Sequence, residues 1–286
     1  MNPAQRVVAL RRPRFKRTTV AQGGGGGAQV TPIFFSDFRA ATGTTDTAKT
    51  DGAKWAITAG TNGFEVVSTS GLDFPSTNVL AVTCRLGTSG FHRLVKDSLG
   101  VPAENTSRWF RLYMRFMQPG PLTDADNHPI ESGATGGEDW TINTTAIDTD
   151  TWRPSHRSIG DANEAPTFNN GRWSADILNV NQTYRFEWQV ARLTGDEWNL
   201  HAKIFNSAGT QIAQDADYDN VNSSLTLANT PTLHLASGDG SNLDEMLIGN
   251  NGIANLAEDF LFAYQGCVAI SDNDWCGAYG NVVGES

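Results

Sequence analysis

Across 286 residues the chain is 39% apolar and 9% aromatic and carries a formal charge of −10. That apolar content fills the core of one large domain or two small ones and excludes a chain that is disordered throughout. No run of about 18 or more apolar residues occurs, so no transmembrane helix and no membrane partner is expected, and the acidic balance excludes a general nucleic-acid binder because it repels phosphates.

The first 36 residues depart from that balance. Arg6, Arg11, Arg12, Arg14, Lys16 and Arg17 are their only charges, so this stretch carries +6 and the remainder −16. Residues 1–21 read as a basic anchoring arm in which "VVAL" is a short apolar grip and Pro3 and Pro13 interrupt any continuous helix. An export-signal reading of "LRRPRFKR" fails, because the apolar stretch of roughly 7 to 15 residues that must follow is replaced by the polar "TTVAQGGGGG". Five consecutive glycines cost too much chain entropy for an element interior, so residues 22–32 read as a tether. A cationic, partly apolar arm tethered to an acidic body points to recruitment by an acidic protein surface of a larger assembly. The gripping residues would be Arg6, Val8, Leu10, Arg11, Arg12, Arg14, Phe15, Lys16 and Arg17. Only this arm could touch nucleic acid, and a disordered tail that aids solubility is the alternative reading.

From Ile33 onward short alternating segments are separated by Gly, Asn, Asp and Ser, the pattern of an all-β sandwich. Strands are expected at "FEVVST", "NVLAVTCRL", "FHRLVK" and "RWFRLYMRFM", the last with Phe110, Leu112, Met114 and Phe116 on one face and Trp109, Arg111, Tyr113 and Arg115 on the other. Residues 118–170, rich in Gly, Asp, Asn and Pro, read as long loops over one side of the sandwich. A strand at "GRWSADI" follows. "TYRFEWQVA" and "EWNLHAKIF", joined by the turn "RLTGDE", then form a hairpin over residues 183–206. Further strands fall at "TLHLAS", "DEMLIG" and "FLFAYQGCVAIS", and about a dozen in all suit one two-sheet antiparallel jelly roll over residues 33–286. Cys84, Cys267 and Cys276 are too few for a disulfide scaffold and lack the spacing of a zinc set. They read as free or buried thiols, with a Cys267–Cys276 bridge across a hairpin as the alternative.

The segments "FFSDFRAATG", "NVLAVTCRL", "SRWFRLYMRF", "YRFEWQVARLTGDEWNLHAKIFNSAG" and "LFAYQGCVAISDNDWCGAYG" resemble the concanavalin A-like lectin/glucanase superfamily in its laminin-G-like and polysaccharide-lyase-like branches, over residues 33 to 280. The resemblance implies a jelly-roll fold. It leaves the activity open, because such domains serve as lectins, as glycan-cleaving enzymes and as decoration modules on bacteriophage particles.

Glycoside hydrolysis needs two carboxyl groups flanking the scissile bond. The Glu-x-Asp-x-x-Glu strand of the superfamily's glucanases is matched nowhere in this sequence, and "IESGATGGEDW" offers Glu131, Glu138 and Asp139 only within a Gly-rich loop. Elimination would need a base near a neutralising Arg or Gln. Arg111, Tyr113, Arg185, Glu187 and His201 could share such a face if their strands are neighbours, could bind a glycan or a partner there without catalysis, or could form a solvated sheet face. Trp140, Trp152 and Trp173, beside the long loops, could stack on a sugar or pack beneath those loops. No cofactor is expected; the oxygen-rich "TDADNHP", "DTDTW", "DADYDN" and "SDNDW" leave Ca²⁺ open, although Asp and Asn are also ordinary turn residues. The arm, the tether and the missing acid pair together favour a non-enzymatic virion structural protein, displayed on a phage shell and held by a major capsid protein. The alternative is an extracellular carbohydrate-binding module, polysaccharide lyase or glycoside hydrolase that meets a cell-surface glycan. Self-association is left open.

Overall fold

A computed structural model describes residues 29–84, 92–100, 102–117, 126–132, 140–146, 150–158, 178–192, 197–214, 233–234, 246–250 and 260–285. Its elements are β1 (Phe34–Ser36), α1 (Asp46–Lys49), β2 (Ala56–Ala59), β3 (Phe64–Ser68), β4 (Asn78–Cys84), β5 (His92–Lys96), β6 (Ser107–Phe116), β7 (Asp126–Ser132), β8 (Trp140–Ala146) and β9 (Thr151–Ser158). There follow β10 (Leu178–Asn179), β11 (Thr183–Arg192), β12 (Glu197–Asn206), β13 (Gln211–Gln214), β14 (Leu233–His234), β15 (Met246–Asn250) and β16 (Phe260–Ser271). They form two sheets. One runs β13-β12-β11-β6-β16-β4-β3, with β1 paired to β16 and β14 to β12; the other runs β10-β9-β8-β7-β15-β5-β2. The expected two-sheet antiparallel jelly roll is therefore present. Among the described residues no helix is long and apolar enough to cross a membrane.

Strand alternation decides what enters the space between the sheets. Phe110, Leu112, Met114 and Phe116 of β6, Tyr184, Phe186 and Trp188 of β11 and Ile204 of β12 point inward, where they join Leu94, Leu178, Met246 and Ile248 of the opposite sheet. Register places Trp188 opposite Phe110, and the two rings stack with centroids 5.2 Å apart. Phe116 meets Phe186 and Phe262 edge-on at 6.2 and 6.0 Å, the arrangement that the ring quadrupole favours.

Three expectations are corrected here. The stretch 118–170 holds β7, β8 and β9, adjacent strands of the second sheet, rather than loops alone. Local propensity hides them: "DNHPIES", "WTINTTA" and "TWRPSHRS" are polar, and Pro129 and Pro154 read as breakers. Cross-strand pairing such as Ile130↔Ile142 and Ile142↔His156 overrides it. Glu131 accordingly stands on a strand, opposite Thr141 and Leu247. The tether ends earlier than expected, because Val30 forms a parallel bridge with Val282, donating to Asn281 O at 2.8 Å and accepting from Val283 N at 2.9 Å. The strand expected at "GRWSADI" lies outside the described residues. Cys267 and Cys276 are both buried free thiols, with no bridge between them, and burial pushes both up to about 12.

Candidate functional site

Antiparallel register aligns the outward side chains of the nine-stranded sheet in rows across β12, β11, β6 and β16. Trp109, Gln189 and position 201 form one row; Arg111, Glu187, Lys203 and Ala269 the next. Tyr113, Arg185, Phe205 and Gly266 form the third, and Arg115, Thr183 and Tyr264 the fourth. The strands carrying Arg111, Tyr113, Arg185, Glu187 and His201 are thus neighbours, and register puts all five positions on one side. Tyr264 reaches that side only because β16 shifts register twice, between Leu261 and Ala263 and between Gly266 and Ala269. The second shift holds Cys267 at φ 53°.

Beyond β16 the chain turns back over this face. Arg108 secures the turn, donating to both carboxylate oxygens of Asp272 at 2.7 and 3.0 Å and to Gly100 O and Leu99 O at 2.6 and 3.1 Å. Residues 275–285 then lie across β12, β11 and β6 as a strap. Lys203 Nζ sits 3.6 Å from the centroid of the Trp275 ring, Gly277 N–H reaches Glu187, and Tyr279 N–H donates to Tyr113 Oη at 3.0 Å. Beneath it Ala269, Cys276 and Val282 make a small second core, against which Val30 and Phe35 pack.

Arg111 holds the strap down. Its side chain is 0% exposed and donates to Cys267 O at 3.0 Å, to Gly277 O and Ala278 O at 3.3 Å, and to both carboxylate oxygens of Glu285. Burial by itself favours the neutral guanidine, but Glu285 more than reverses this and holds Arg111 above its ordinary pKa. The place on Arg111 that the sequence offered to a glycan is filled by a carboxylate of the same chain.

Glu187 is 3% exposed. Its Oε1 lies 3.0 Å from Arg185 Nε, a close charge contact whose geometry makes no hydrogen bond. Burial pushes its carboxyl up, against the opposing pull of Arg185, Arg111, Lys203 and the Gly277 N–H. A carboxyl raised in this way binds its proton more tightly folded than unfolded, so its contribution is full below the ordinary glutamate value and is lost as pH rises through the folded one. Glu187→Gln, which cannot ionise, should gain stability relative to the native chain as pH climbs from about 4.5 toward neutrality; equilibrium unfolding across that window checks this, and an unchanged difference contradicts it.

Five buried side-chain atoms on this face have no hydrogen-bond partner among the described residues: Trp109 Nε1, Arg115 Nε, Thr183 Oγ1, Arg185 Nε and Glu187 Oε1. Tyr113, in the row of Arg185, is 9% exposed, and Tyr264, in the row of Arg115 and Thr183, is half-buried. Arg115 and Tyr264 were not singled out from the sequence. Arg115 was legible, since strict alternation places it on the side of Arg111 and Tyr113. Trp140 and Trp152 do not join this face, because their backbones belong to β8 and β9 of the other sheet. Trp173 and the arm residues Arg6 to Arg17 lie outside the described residues. Of the oxygen-rich segments, "SDNDW" is occupied with turn chemistry: Asp272 binds Arg108, Ser271 Oγ accepts from Asn273 N, and Asp274 Oδ1 accepts from Trp275 N. Among the described residues no group of three or more His, Cys, Asp or Glu is placed to hold a metal ion.

No protein-family model and no curated protein matches the chain. Solved structures do. Alginate lyase Aly36B superposes with a TM-score of 0.55 at 14% identity, covering 86% of this chain and 99% of its own. A marine PL-14 alginate lyase from Aplysia kurodai gives 0.53 at 11%, covering 85% and 99%. The catalytic domain of a glycoside hydrolase family 131 protein from Coprinopsis cinerea gives 0.52 at 10%, covering 88% and 98%. At such identities the likeness establishes the fold: a concanavalin A-like jelly roll. It also overturns two expectations. The non-enzymatic reading and the virion decoration role find no support, because these three are two alginate lyases and a glycoside hydrolase catalytic domain, and none is a shell protein. A missing hydrolase acid pair excludes hydrolysis by that pair and leaves elimination open, since elimination requires no such pair.

Proposed function

We propose that the chain is a polysaccharide-degrading enzyme, a lyase that eliminates across the glycosidic bond of a uronate-containing polysaccharide lying on the outer face of the nine-stranded sheet. The observation that carries this reading is the grouping by register of Tyr113 with Arg185, and of Arg115 with Tyr264, in adjacent rows on the outward side of β11, β6 and β16. Arg111, Arg115, Arg185 and Lys203 outnumber Glu187 and Glu285 on this face, although the chain as a whole is acidic, which favours an anionic chain over a neutral one.

Elimination removes the proton on C5 and breaks the C4–O4 bond, leaving a C4–C5 double bond. It needs a cation to hold the C5 carboxylate as charge develops, a base for the proton and an acid for the departing oxygen. Arg115, with Arg185 beside it, supplies the cation. Tyr113, directly opposite Arg185 in register and two residues from Arg115 on β6, is assigned the proton transfer: its phenolate oxygen would take the C5 proton and pass it to the departing O4, so that one residue serves as base and then as acid. The alginate lyases with this fold support the assignment of substrate class.

The test is incubation of the full chain with alginate, a glycosaminoglycan and a neutral β-glucan. Unsaturated uronate ends, read by their ultraviolet absorbance, are expected from anionic polymers only. Reducing ends without unsaturation would replace elimination by hydrolysis, and intact polymers throughout would overturn the reading.

A further inference from the structure

The strap does more than cover the sheet. Glu285 Oε2 accepts from Gly280 N at 2.9 Å and Val282 N at 3.3 Å while the carboxylate grips Arg111, so one side chain closes the 280–285 turn and fixes it to β6. The same Arg111 holds the carbonyls of Gly277 and Ala278, the two peptides that lead directly to Tyr279 N. Tyr279 is fixed at its other end as well, its hydroxyl donating to Asp37 Oδ2 at 3.2 Å. The path between allows little play. Gly277 has φ +67°, and a Cβ there would lie 2.4 Å from Asn281 Nδ2.

We propose that Glu285 is a positioning residue: through Arg111 and the strap it sets the Tyr279 N–H against the Tyr113 oxygen, and so orients the Tyr113 hydroxyl for proton transfer. An N–H donated into that oxygen occupies one lone-pair direction, so the hydroxyl's own proton is turned away from the strap. This rests on the lyase reading and adds to it a control exerted from a segment outside both sheets.

The experiment compares the native chain, Glu285→Gln, Tyr113→Phe and the double variant on alginate, well below their unfolding temperatures. Glu285→Gln should lower kcat about tenfold while KM stays within about twofold, and in the Tyr113→Phe background it should change kcat by less than about twofold, because residues acting as one unit are not additive. Gly277→Ala, which disturbs the peptide path and leaves the ion pair in place, provides a second route if Glu285→Gln folds poorly; the same loss confined to kcat is expected. Losses that multiply in the double variant, or a lowered Tm with full kcat, would make the strap merely structural and overturn the inference. A native chain that cleaves no polymer overturns the lyase reading itself, a separate outcome from an active chain with additive losses.

Discussion

Replacing Arg111 by methionine is expected to cost about 3–5 kcal/mol of stability, roughly 10 °C in Tm. The cause is what is left behind. Glu285, itself buried, would keep the Gly280 and Val282 amides but lose its counter-charge, and the carbonyls of Cys267, Gly277 and Ala278 would lose their donor. A pair of charges taken out of water gains little over well-packed apolar groups, whereas one of them alone is strongly unfavourable. Arg111→Met combined with Glu285→Met should therefore recover a substantial part of the loss. Denaturant unfolding of the three variants measures it, and a single variant within about 1 kcal/mol of the native chain would show that the pair does not hold the strap.

Tyr113→Phe is expected to reduce kcat on alginate at least about 100-fold with little change in KM, since a well-placed proton-transfer group contributes about 10²–10⁴-fold. Arg115→Met should act differently. A hydrogen bond to a charged group is worth about 1.5–3 kcal/mol, so kcat/KM should fall about 10- to 100-fold, with KM rising. The native KM should climb with ionic strength, as the attraction between a cationic face and a polyanion is screened over a Debye length of about 10 Å at 0.1 M salt. Equal losses in the two variants, or an active Tyr113→Phe chain, would remove Tyr113 from the chemistry.

Much of the sandwich is visible in the sequence wherever apolar and polar residues alternate strictly. The β6 stretch from Arg108 to Phe116 and the hairpin over 183–206 are of that kind, and their inward faces are part of the observed core, whereas the final strand from Phe260 to Ser271 is visible as a nearly continuous apolar run. β7, β8 and β9 were hidden because their stability comes from neighbours in the ladder and not from their own residues. The candidate site was half visible. Alternation puts Arg111, Tyr113, Arg185 and Glu187 on outward faces, but it cannot say that Arg111 is saturated by Glu285, a partner 174 residues away. Nor can it place Tyr264, whose side depends on two register shifts within β16. The missing hydrolase motif was read correctly as a pattern but given too wide a meaning. It excludes one way of breaking a glycosidic bond, and the fold accommodates another.

The most direct test is a crystal structure of the Tyr113→Phe chain with a bound alginate oligosaccharide. A uronate carboxylate within hydrogen-bond distance of the Arg115 guanidinium, with the sugar resting on the Tyr113 and Tyr264 positions, is the predicted result. An oligosaccharide bound on the β8–β9 side of the molecule, without contact to Arg115, would contradict the assignment of the active face.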